Sequence, residues 1–69
     1  MKYRDFLKIL IANDFTETRC TGDHHQYSGV VDGKPQMVTA AFKQAGEDIQ
    51  KNNLASMIRQ SGLPKKLFR

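Results

Sequence analysis

Tryptophan is missing from the chain, and cysteine occurs once, at position 20. A lone thiol cannot close an internal disulfide, which excludes a small stapled scaffold and fits a reducing compartment. No apolar run approaches the length of a membrane span, and no basic stretch leads into an apolar leader segment. The expected location is cytoplasmic, with no membrane partner. Carboxylates are outnumbered, seven Asp/Glu against eleven Lys/Arg, for a formal net charge of +4. That excess suits a polyanionic partner such as nucleic acid. With 69 residues the chain reads as one domain, 1–69. Its core is just large enough to hold a fold, so any site must lie on the surface of the layers.

Tyr3, Phe6, Leu7 and Leu10 recur at helical spacing and predict an amphipathic helix from Lys2 to Asn13. Ile9 and Ile11 widen its apolar face. Asn13-Asp14 marks the exit. Three strands follow. Phe15–Cys20 alternates Thr16, Thr18 and Cys20 against Phe15, Glu17 and Arg19. A turn at Thr21-Gly22-Asp23 leads into His24–Val31. Asp32-Gly33 is a hairpin signal, since both central positions of a type I′ turn need positive φ. Pro35 opens the third strand, Gln36–Phe42. After a polar loop, Asn52 or Asn53 caps a second helix with Leu54, Met57 and Ile58 on its apolar stripe. Gly62, Leu63 and Pro64 stop that helix. Residues 63–69 form a basic tail expected to fray. The order predicts an α+β fold, a small α-β-β-β-α sandwich whose antiparallel three-stranded sheet carries both helices on one face and leaves the other open. Double-stranded-RNA-binding-like domains use this order.

Strand alternation puts His24, Gln26 and Ser28 on one side of the second strand and His25, Tyr27 and Gly29 on the other. The first set is wholly polar and should face water; the second includes the aromatic and should face the helices. By this reading His25 is half-buried and hydrogen-bonded to backbone, Tyr27 is core, and Cys20 is a small buried residue. An accessible imidazole titrates near neutrality and can take or give a proton. From the residues alone, His24 reads first as an ordinary exposed strand histidine. Adjacent strand histidines point apart and no third His completes a set, so neither a metal nor a cofactor is expected. Asp23 reads as a turn residue.

Several segments fall in an ordered series: Gly22-Asp23-His24-His25-Gln26-Tyr27, Met37-Val38-Thr39-Ala40, Gly46-Glu47-Asp48-Ile49 and Leu54-Ala55-Ser56-Met57-Ile58-Arg59-Gln60-Ser61-Gly62-Leu63. The series, spanning nearly the whole chain, resembles the HicA toxin family. That family carries a Gly-Ser-His turn with an aromatic three residues after the His, a Val-Thr-Val strand, an acidic-apolar loop and a closing Ile-x-Arg-Gln-Ala-Gly-Leu helix. The resemblance implies a double-stranded-RNA-binding-like fold and an endoribonuclease that cuts mRNA. It also implies a toxin that is monomeric when free and silenced in a hetero-oligomer with a HicB-type antitoxin. It makes His24 catalytic, with His25 as fallback. Arg19 falls where the family often has Arg, and Arg59 matches its Arg-Gln pair. Four positions depart from the pattern: Asp23 replaces Ser, Thr21 stands where a cation is common, and Ala41 and Lys43 occupy the places of a Pro and a second His.

With that resemblance, Arg19, Gln26, Lys43 and Arg59 become candidate RNA contacts, and Lys65, Lys66 and Arg69 add unspecific affinity. A cation at Arg59 also complements a helix C-terminus, which is sufficient as a structural reason. Two other functions fit the same residues: an RNA-binding module without chemistry, and an adaptor whose basic face docks an acidic protein.

Overall fold

A computed structural model describes residues 1–69. The chain runs α1 (Tyr3–Ala12), β1 (Thr16–Thr21), β2 (His24–Val31), β3 (Lys34–Ala41) and α2 (Lys51–Ser61), and closes with a short 3-10 turn, η1 (Lys65–Phe68). The three strands form one antiparallel sheet in the order β1-β2-β3. This is the α-β-β-β-α order read from the sequence, with boundaries shifted by a residue or two.

The helical stripe of α1 is buried as its spacing requires: Tyr3, Phe6, Leu7 and Leu10 all enter the core. Ile11 does not. It is 58% exposed, because one step past Leu10 turns a side chain by about 100° out of the stripe. The helix has no side-chain N-cap. Its first amides are satisfied instead by the polar loop before α2: Tyr3 and Arg4 donate to the carbonyls of Glu47 (3.0 Å) and Ala45 (2.8 Å). Asp14 leaves the helix at φ 67°, the left-handed conformation that Asn and Asp tolerate best after glycine.

Each turn does what its residues dictate. Asp32 and Gly33 sit at φ 52° and 77°, the pair of positive values a type I′ hairpin needs. Gly29 serves packing rather than a turn. A Cβ there would lie 2.6 Å from the Phe15 ring, so its bare backbone lets Phe15, 1% exposed, lie against β2.

The core sits between the helices and one sheet face. Tyr27, Val38, Ala40 and Phe42 project into it with the α1 residues, Phe15, Ile49 and Met57. Two expectations change at the C-terminal end. Neither Asn52 nor Asn53 caps α2, which starts at Lys51 behind Gln50 with no side-chain cap bond; the Asn53 amide donates instead to the Tyr3 hydroxyl at 3.4 Å. The helix ends at Gly62 with φ 70° as its residue type predicts. The tail is not frayed: η1 returns Phe68 to the core, 6% exposed, stacked on Phe6 at 4.9 Å. Burying one aromatic face outweighs the charge of its neighbours, and Lys65, Lys66 and Arg69 stay exposed.

The opposite sheet face is uncovered. Its half near the Asp32-Gly33 turn is apolar, with Val30 64% and Met37 54% exposed. Its half near the β1–β2 turn is polar.

Candidate functional site

The polar half is built by register. Gly22 takes φ 58° in the β1–β2 turn, and the Asp23 carbonyl accepts from Phe42 N–H at 3.0 Å, pinning the turn to the end of β3. His24 then lies between Thr21 on β1 and Ala41 on β3, while Gln26 lies between Arg19 and Thr39. A register shift between Glu17 and Arg19 makes Thr18 an extra residue. Such a bulge reverses the facing of everything beyond it. Simple alternation puts Arg19 with Glu17 and Cys20 with Thr18. In the structure Arg19 stands on the open face beside Gln26, and Cys20 turns to the helix side beside His25.

The result is a shallow recess of ≈ 310 Å³ lined by Arg19, Thr21, His24, Gln26 and Thr39, at the low end of ligand pockets. It offers one imidazole, one guanidinium, one amide and two hydroxyls, and no carboxylate. His24 is exposed. Thr21 and Thr39 are the contributors that sequence reading missed; for Thr39 the clue was its place between the inward Val38 and Ala40. Gln60 of α2 accepts from the Thr39 backbone N–H at 3.3 Å, which fastens the β3 edge behind the recess.

One residue further on, His25 faces the other way. Its ring lies parallel to Phe42, 4.2 Å between centroids and 8° between planes, and Phe42 in turn stacks on Tyr3 at 4.8 Å. Its Nδ1 pairs with Glu17 Oε1 at 2.8 Å. His25 is half-buried as expected, but its partner is a carboxylate rather than backbone. Cys20, expected to be buried, is exposed and donates weakly to the Gly22 carbonyl at 3.7 Å. The sequence places no cysteine with the histidines. The fold does, gathering Glu17, Cys20 and His25 so that one donor atom from each lies within 4.8 Å of the others. Tyr27 is core, as expected, and burial pushes its phenol pKa up, aided by Glu17 and then Cys20 nearby.

The other candidate cations are scattered. Lys43 follows β3 but does not line the recess; its backbone N–H donates to Glu47 Oε2 at 2.9 Å. Arg59 and Lys65 line a separate groove along α2 with Ala55, Ile58, Gly62 and Leu63. Lys66 lies in η1, outside the recess. Of the candidate contacts, the recess therefore unites Arg19, His24 and Gln26 and leaves out Lys43, Arg59, Lys65 and Lys66. No helix is long and apolar enough to cross a membrane.

Fold and site together define a small α+β domain that shows an imidazole and a guanidinium on an open sheet face. The family model described as HicA toxin of bacterial toxin-antitoxin matches residues 3–63. The chain belongs to the HicA toxin family and is the toxin kind of component in a toxin–antitoxin pair. No curated protein and no solved structure gives a significant match.

Proposed function

We propose that this toxin is a metal-independent endoribonuclease that cuts mRNA at the open sheet face, with His24 as its proton-transfer group and a HicB-type antitoxin as its silencing partner. The observation that carries the reading is the grouping of His24, Arg19 and Gln26 in one recess. Because His24 is the one imidazole in the recess lining, which holds no carboxylate, both proton transfers fall to it. Neutral His24 takes the proton of a ribose 2′-hydroxyl. The 2′-oxygen attacks the adjacent phosphorus, and the bond from phosphorus to the 5′-oxygen breaks. The imidazolium returns its proton to the departing 5′-oxygen. The products are a 2′,3′-cyclic phosphate and a 5′-hydroxyl. Arg19 balances the charge that grows on the phosphoryl oxygens, while Gln26, Thr21 and Thr39 offer hydrogen bonds to sugar and base edges. The double-stranded-RNA-binding-like element order and the excess of cations support RNA as the polyanion.

The test is cleavage of a short RNA beside the same strand carrying 2′-deoxyribose throughout. The expected result is cyclic-phosphate ends on the RNA and an intact deoxy strand. A cut deoxy strand overturns the route. A second reading, an RNA-binding module without chemistry, draws on Ala41, which stands directly beside His24 and supplies no second acid or base. It predicts RNA binding by the wild type with no cleavage at all.

A further inference from the structure

On the helix side of β1 and β2, Glu17, Cys20 and His25 form a cluster to which the ribonuclease reading gives no role. Cys20 and His25 are directly cross-strand partners. Glu17 joins them because the Thr18 bulge lets residues three apart share a face. His25 is held by its parallel stack on Phe42 and already has its Nδ1 2.8 Å from Glu17 Oε1. Cys20 and Glu17 are exposed, so their side chains can swing at little cost. We propose that Glu17, Cys20 and His25 form a binding site for one zinc ion, with the carboxylate, the thiolate and an imidazole nitrogen as ligands and a water in the fourth position.

The donor set fits that ion. A thiolate with an imidazole selects a borderline-soft divalent metal over magnesium or calcium, which take all-oxygen shells. Tetrahedral zinc with bonds of 2.0–2.3 Å sets its ligand atoms about 3.3–3.6 Å apart. The donor atoms here all lie within 4.8 Å of one another, so closure takes about 1 Å of side-chain movement. Binding releases the Cys20 thiol proton to solvent and exchanges the His25–Glu17 contact for two metal bonds. The ion ties β1 to β2 beside the turn that precedes His24, yet on the face His24 does not see. Its effect is to rigidify that turn, not to enter the proposed cleavage.

The test is a titration of the reduced full chain with cobalt(II), followed by zinc displacement. The wild type should take up one equivalent with a sulfur-to-cobalt charge-transfer band, and zinc should bleach it. Cys20→Ser should abolish the band and weaken zinc at least about tenfold, and Glu17→Gln should weaken it by a similar factor. His24→Ala should bind zinc as the wild type does, which separates this site from the ribonuclease reading. The proposal is overturned if the wild type shows no charge-transfer band, if Cys20→Ser or Glu17→Gln keeps wild-type zinc affinity, or if His24→Ala loses it. All four proteins are checked for a common circular dichroism spectrum, and because Cys20 and Glu17 are exposed, both variants should fold.

Discussion

His24 and His25 are consecutive residues of one strand in different surroundings. His24 projects from the uncovered face among polar groups. His25 lies against Phe42 and is paired to Glu17 on the covered side. The first position leaves an imidazole free to meet a substrate; the second holds it still. One residue of displacement along a pleat separates a packed, paired histidine from an exposed one. The two adjacent histidines of this chain differ in the sheet face each occupies.

The most severe break in the comparison is His24→Ala. Cleavage should fall by about 10²–10⁴-fold, while stability moves by no more than about 0.5 kcal/mol, as for an exposed residue without packing partners. Urea melts beside single-turnover cleavage give both numbers. Arg19→Ala should follow, lowering cleavage by roughly tenfold to a hundredfold for loss of a charge-assisted contact worth about 1.5–3 kcal/mol, and flattening the salt dependence of RNA binding by about one unit of slope. Lys43→Ala, outside the recess, should produce only the second effect.

The remaining changes act on the His25 side and should invert the pattern. Phe42→Leu removes two ring contacts, to His25 and to Tyr3, and should cost about 1–3 kcal/mol in a urea melt at roughly 0.5–1.5 per aromatic pair. Glu17→Gln leaves a neutral partner for the His25 ring and should cost about 1 kcal/mol, in the metal-free protein. If either variant loses cleavage while its melt is unchanged, the division of labour between the two faces is wrong.

Much of this division was legible in the chain. The helical spacing of Tyr3, Phe6, Leu7 and Leu10, the Asp32-Gly33 hairpin and the Gly62 stop are local signals, and the local backbone obeys them. So is the alternation that sends His24 outward and Tyr27 inward along β2, which is regular. The bulge at Thr18 was not legible, because it is a property of the β1–β2 pairing and leaves no mark in β1 itself. Its consequences were missed with it: Arg19 beside Gln26, and Cys20 beside His25. Phe68 was missed for a similar reason. A single aromatic in a basic tail carries no periodicity, and its burial depends on a gap against Phe6 that only the assembled α1 provides. The scatter of Lys43, Arg59 and Lys65 shows that charge composition points to a partner class without saying which cations stand together.

Contact between RNA and the open face at His24 can be observed directly. A 2′-O-methyl RNA, which binds without being cut by a 2′-hydroxyl route, is titrated into isotopically labelled protein and followed by NMR. The predicted result is saturable shifts at Arg19, Thr21, His24, Gln26 and Thr39, with the ring signals of His25 and Phe42 left in place. Shifts confined to the α2 groove around Arg59 and Lys65, with His24 unmoved, would contradict it.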